Sequence, residues 1–151
     1  MIYNILDNKN VDIAIDLINQ GKIIIYPTDT LYGFGVDATN SIAVNNLNKL
    51  KNRIQSYSII VSSFDMLKEY AEFDNKMLKK IKCFLPGAYT VILKKTSNNL
   101  SNLVNLNLPT IAIRIPNSPF ILDVVKKNNK PIVTTSVNSH NELSLNDVNI
   151  I

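Results

Sequence analysis

The sequence predicts an α/β domain, with a mixed, twisted open sheet flanked by helices. Three observations carry that prediction. Short β-branched runs alternate along the whole chain with segments whose apolar residues recur at helical spacing. The 151 residues are 46% hydrophobic and 19% charged, which suits one globular domain spanning residues 1–151. No internal repeat and no linker composition divides them.

The elements follow in chain order. Val11, Ala14, Ile15, Leu17 and Ile18 recur as one helix face from Val11 to Gln20, with Asn10 as its expected N-cap and Gly21 just past its end. Lys22 to Tyr26 is a β-branched run stopped by Pro27, expected as a buried strand that feeds a glycine-bearing loop from Pro27 to Gly35. Ser41 to Leu50 resumes helical spacing, and Lys49, Lys51 and Arg53 gather at its C-terminal end. A strand is expected over Ser58 to Val61, then helices over Phe64 to Tyr70 and Asn75 to Phe84. Strands over Tyr89 to Lys94 and Thr110 to Ile115 flank a polar Asn, Ser and Leu stretch that predicts a mobile loop. Ser118 caps a helix with Pro119 in its first turn, running to about Lys127, and Pro131 to Thr134 is the last strand.

Charge and cysteine content narrow the function classes. Sixteen Lys and Arg against twelve Asp and Glu leave +4, interleaved rather than massed, which favours an anionic small ligand or RNA. The single cysteine, Cys83, excludes an internal disulfide and points to a reducing compartment. No apolar run approaches the roughly 20 residues that span a bilayer, and the N-terminus lacks an export pattern, so a cytoplasmic protein without a membrane partner is expected. The excess of Asn, Ile and Lys fits codon drift in an AT-rich genome, which gives most Asn no individual meaning. Against fourteen Lys stand two arginines, Arg53 and Arg114, and an Arg that resists such drift points to a contact that needs two parallel hydrogen bonds.

Four segments gather polar residues where α/β sheets place ligands. In Tyr26-Pro-Thr-Asp-Thr-Leu-Tyr-Gly-Phe-Gly35, Thr28, Thr30 and Tyr32 offer hydroxyls, and Gly33 and Gly35 let the backbone approach a ligand or simply punctuate a turn. Lys51-Asn-Arg53 is either an anion site or a solvated helix end. In Thr110-Ile-Ala-Ile-Arg114-Ile-Pro116, alternation puts Thr110, Ala112 and Arg114 on one face. A charge there needs an anionic ligand or an internal Asp. Thr134-Thr-Ser136-Val-Asn138 orients a nucleotide or caps a turn.

In this order, these pieces resemble the YrdC-like threonylcarbamoyl-AMP synthases. The matching segments are Pro27-Thr-Asp-Thr-Leu-Tyr-Gly-Phe-Gly35, Lys51-x-Arg53, Leu85-Pro-Gly-Ala-Tyr-Thr-Val-Ile-Leu93, Thr110-Ile-Ala-Ile-Arg-Ile-Pro116 and Ser136-x-Asn138, spanning about residues 10 to 140. The resemblance implies a YrdC-like fold and an enzyme that joins L-threonine, bicarbonate and ATP into threonylcarbamoyl-adenylate with release of pyrophosphate. Mg²⁺ would accompany the nucleotide. Threonylcarbamoyl-transferase complex proteins would then modify tRNA beside the anticodon.

By the same resemblance, Lys51 and Arg53 are the catalytic cations. Thr30, Arg114, Ser136 and Ser62 contact threonine, and Arg53, Thr110, Ser136, Asn138 and Tyr57 contact ATP. The chain departs from the family pattern at Tyr57, at Ser62 and at Ser139-His140. Members usually continue for some tens of residues, so a reduced form or weaker closure over the phosphates is expected. The competing expectation is a non-catalytic module of the same fold that binds tRNA or double-stranded RNA.

Overall fold

The computed structural model describes residues 2–7, 9–138, 145 and 147. Its elements in chain order are α1 (Lys9–Asn19), β1 (Ile24–Pro27), β2 (Tyr32–Asp37), α2 (Ser41–Leu50), β3 (Ser58–Ile60), α3 (Phe64–Tyr70) and β4 (Ala71–Glu72), followed by α4 (Asn75–Ile81), β5 (Val91–Lys95), α5 (Asn102–Asn105), β6 (Thr110–Arg114), α6 (Pro119–Asn128) and β7 (Ile132–Ser136). The seven strands form one sheet in the order β1-β2-β7-β3-β6-β5-β4. The β3–β6 pair is parallel and the others are antiparallel, so the sheet is mixed, as the alternation of strands and helices predicts.

The central strands set the core. Ile59 lies opposite Ile113 on one side and Val133 on the other, and all three are buried. Ile111, Ile113 and Ile115 face inward while Thr110, Ala112 and Arg114 take the other face, the alternation expected of β6. The apolar stripes of α1 (Ile18), α2 (Val44, Leu47) and α6 (Ile121, Val124, Val125) complete the cluster. Truncating a residue such as Ile113 to Ala would cost about 2–5 kcal/mol. Among the described residues, no helix is long and apolar enough to cross a membrane.

Three expectations are corrected. The segment expected as a loop through Gly35 contains β2, which pairs with β1 on one side and β7 on the other. Its two glycines concealed the strand, and their reason is steric. A Cβ on Gly35 would stand 2.8 Å from Cε1 of Tyr26, and one on Gly33 would stand 3.4 Å from Cζ. The missing side chains let the Tyr26 ring lie across β2. Gly35 serves internal packing, where the sequence suggested a ligand approach or a turn, while Gly33 also lines a cavity. Second, β1 is an edge strand with Ile25 exposed, which also explains how Pro27 is tolerated in it.

Third, the polar stretch before β6 is docked rather than mobile. Leu100, Val104 and Asn105 are buried, and the Asn105 amide donates to the carbonyls of Leu108 and Thr110 at 2.7 and 3.0 Å. Caps also differ from expectation. Asp7, not Asn10, receives backbone N–H groups at the start of α1. Ser118 stands at the N-cap of α6 with Pro119 after it, as expected, but its hydroxyl donates to the Pro27 carbonyl and makes no cap bond to the helix.

Candidate functional site

A cavity of about 270 Å³ opens beside β2, β7, β3 and β6, lined by hydroxyls and by both arginines of the chain. Each is placed by a local device. After α2, Asn52 adopts the left-handed conformation with φ 50°, the Arg53 N–H returns to the Asn48 carbonyl and the Asn52 N–H to that of Lys49. This is a Schellman ending, and Asn tolerates it without glycine. The one intervening left-handed residue sends Lys51 into the protein and Arg53 to the cavity. Lys-x-Arg is therefore a spacing with a structural meaning.

Arg114 ends β6, and its side chain is only 15% exposed. One guanidinium nitrogen donates to Asp29 Oδ1 at 3.1 Å, while Asp29 Oδ2 accepts from the Asn117 N–H at 3.0 Å. The internal Asp that the sequence allowed is thus present. Yet Arg114 Nε is buried and meets no acceptor among the described residues. The loop carrying Asp29 is stiffened by Thr28, whose Oγ1 donates to the Leu31 carbonyl and accepts from the N–H groups of Thr30 and Leu31. Thr30 lines the cavity with its Oγ1 3.0 Å from Thr28 Oγ1.

On the opposite wall, Tyr26 is buried and its OH donates to Thr134 Oγ1 at 2.8 Å. Ser58 lies in register with both Thr134 and Ala112, and its hydroxyl donates to the Thr134 carbonyl. Lys51 is 1% exposed. Its ammonium donates to the carbonyls of Ser136 and Asn138 at 2.7 and 3.2 Å and to Asn138 Oδ1 at 2.8 Å, above the ring of Phe34. Ser136 Oγ donates to the same Asn138 Oδ1 at 2.9 Å. Burial, together with the neighbouring Arg53 charge, lowers the Lys51 pKa to about 8.

Of the residues singled out in the sequence, Thr30, Arg53, Tyr57, Arg114 and Ser136 line the cavity, and Lys51 and Asn138 stand directly behind Ser136. Lys51 is a buried clasp where a cation projecting from a helix end was expected. Tyr57 meets the cavity, and its OH donates to Asn48 Oδ1 at 2.7 Å while the Gln55 side chain and the Arg53 charge of the lining stand close to it. Ser62 and Thr110 do not line it. Ser62 rests against the Met66 sulfur at 3.5 Å. Thr110 is exposed at the far end of β6, four residues or roughly 13 Å from Arg114. His140 falls outside the described residues.

The sequence reading missed Gln55, Ser56 and Ser58 as lining residues, although strand alternation through β3 would have put Ser58 on the Arg114 face. Chemically, the cavity offers guanidinium and hydroxyl donors to an anion. Asp29 is already engaged, and among the described residues no three His, Cys, Asp or Glu converge as a cation site. These residues do not fit a protein-held Mg²⁺; any such ion would have to be carried by the phosphates of the ligand.

Comparisons with known proteins bear on the family and the fold. A family profile, Sua5/YciO/YrdC, described as "Telomere recombination", matches residues 16–151. The threonylcarbamoyl-AMP synthase of Bacillus subtilis is 32% identical over 129 residues, covering 83% of this chain and 37% of that protein. That of Pseudoalteromonas atlantica is 36% identical over 124 residues, covering 79% and 66%. The crystal structure of Pyrococcus abyssi Sua5 complexed with L-threonine superposes with a TM-score of 0.84 at 28% identity, over 91% of this chain and 41% of that one. This chain spans less than the full length of each.

Proposed function

The chain belongs to the Sua5/YciO/YrdC family, and from that premise we propose that it forms threonylcarbamoyl-AMP from L-threonine, bicarbonate and ATP. One observation carries the reading: the only two arginines, from separate elements, converge with a set of hydroxyls on one cavity. The same cavity could have been empty of one or both. The Sua5 relative bound to L-threonine and the relatives named as synthases support the choice of reactants.

The reaction runs in two balanced steps. The threonine amine attacks the bicarbonate carbon, forming an N–C bond with loss of water, and yields a carbamate beside the threonine carboxylate. A carbamate oxygen then attacks the α-phosphorus of ATP, and the bond to the β-phosphate breaks with its electron pair leaving on pyrophosphate. No covalent link to the protein is needed, so positioning and charge stabilisation suffice. In our reading, the open Nε of Arg114 takes the threonine carboxylate, while the Thr30 and Ser136 hydroxyls, whose protons go to Thr28 and Asn138, face the amino acid as acceptors. Arg53 meets the negative charge that grows on the leaving pyrophosphate. Lys51 contributes its field from behind Ser136 and holds that segment in place. The product, a reactive mixed anhydride, needs an acceptor enzyme, which we take to be a threonylcarbamoyl-transferase complex acting on tRNA.

The test is pyrophosphate release with threonine and bicarbonate omitted in turn. Release that needs both, with threonylcarbamoyl-AMP identified by mass spectrometry, is expected. RNA binding without ATP turnover would replace this reading with the non-catalytic module.

A further inference from the structure

The cavity wall contributed by β7 is held by a residue that never reaches the ligand space. Tyr26 starts on the edge strand β1, and its ring crosses β2 at the two positions that lack a Cβ, Gly33 and Gly35. The register places Gly35 opposite Thr134 and Gly33 opposite Ser136, so the ring bridges from β1 to β7 over a strand with nothing in the way. Its OH ends 2.8 Å from Thr134 Oγ1 and donates to it. A threonine hydroxyl that accepts this bond must aim its own proton elsewhere. Thr134 lines the cavity, and among the described residues its hydroxyl donates to no acceptor.

We propose that Tyr26 is a positioning residue that fixes the Thr134 hydroxyl as a hydrogen-bond donor into the ligand cavity. The acceptor is an oxygen of the bound amino-acid reactant, so this proposal rests on the function argued above. The phenol suits the task, because complete burial raises its pKa above the ordinary phenol value and so favours the protonated, donating form. The glycines of β2 then have a second meaning: they are the track along which the tyrosine reaches the site. A side chain at Gly35 would press on the ring and misdirect the hydroxyl while removing no polar group.

The experiment is a cycle on the full chain, with L-threonine affinity read by calorimetry and the KM for threonine and ATP read from pyrophosphate release. Tyr26→Phe keeps the ring and deletes one donor. It is expected to weaken L-threonine binding about 3- to 10-fold, the scale of one hydrogen bond, with the KM for ATP unchanged. Thr134→Val is expected to weaken it at least as much. Adding Tyr26→Phe to Thr134→Val should change nothing further, because Tyr26 acts through Thr134; a purely structural tyrosine would lower affinity again by the same factor.

Should Tyr26→Phe alone melt below the assay temperature, the double variant, in which neither hydroxyl loses a partner, still carries the comparison with Thr134→Val. Threonine binding by Tyr26→Phe within twofold of wild type, or an additive double variant, overturns the positioning role and leaves the proposed function standing. A wild-type chain that binds no L-threonine overturns the function first and this role with it.

Discussion

The two junctions that frame the cavity bury cations to opposite ends. Where α2 meets β7, the Lys51 ammonium has all three of its protons on protein oxygens. Where β6 meets the loop after β1, Arg114 gives one nitrogen to Asp29 and keeps a buried Nε with no acceptor among the described residues. One junction is chemically closed and the other open. Burial alone therefore does not reveal whether a charge is structural or receptive; the count of satisfied donors does.

This contrast can be broken in several ways. The largest effect is expected at neither junction but from Arg53, which faces the cavity between them. Arg53→Ala should lose about 3–4 kcal/mol of transition-state stabilisation, on the order of 10²–10³ in turnover, with an unchanged melting temperature. A variant of full activity would remove Arg53 from the site.

Next comes the closed junction. Lys51→Met should cost about 3 kcal/mol of stability, because it leaves buried oxygens without their donor, and urea unfolding would show it. If stability were unaffected while turnover fell, Lys51 would belong with the receptive cations. The open junction should respond differently. Arg114→Lys keeps charge and fold but loses the forked geometry, so kcat/KM for threonine should fall about tenfold with the KM for ATP unchanged.

The smallest effect is in pH. Lys51 titrates near 8 in the folded chain and at its ordinary 10.5 when unfolded. Between those values the unfolded state binds more protons, so wild-type stability should rise with pH relative to Lys51→Met, and the gap between them should widen above pH 8. A gap that narrows would mean that the three oxygens hold the proton more firmly than burial expels it.

Legibility in the sequence followed the range of the interaction. The helices of Ser41 to Leu50 and Phe64 to Tyr70, and the inward isoleucines of β6, were readable because periodicity is local. Strand β2 was not, because Gly33 and Gly35 answer to Tyr26 on another strand. Dismissing asparagines as compositional drift also hid their work. Asn40 caps α2, Asn52 makes its left-handed ending, Asn105 latches the segment before β6 and Asn138 completes the Lys51 clasp.

By itself, the sequence determined the α/β class, the longer helices and the central strands in their order, and the small set of cations and hydroxyls from which a site could be made, since those follow from local pattern and residue chemistry. Only the tertiary structure decided which of them face the cavity. Arg53 and Arg114 share it, Thr110 stands at the other end of its strand, Tyr57 gives its hydroxyl to Asn48 and Lys51 is consumed as a clasp. The reason is that a donor's direction is set by partners 9 to 108 residues away, as the bonds from Tyr57 to Asn48 and from Tyr26 to Thr134 show, and no local window of sequence contains both ends.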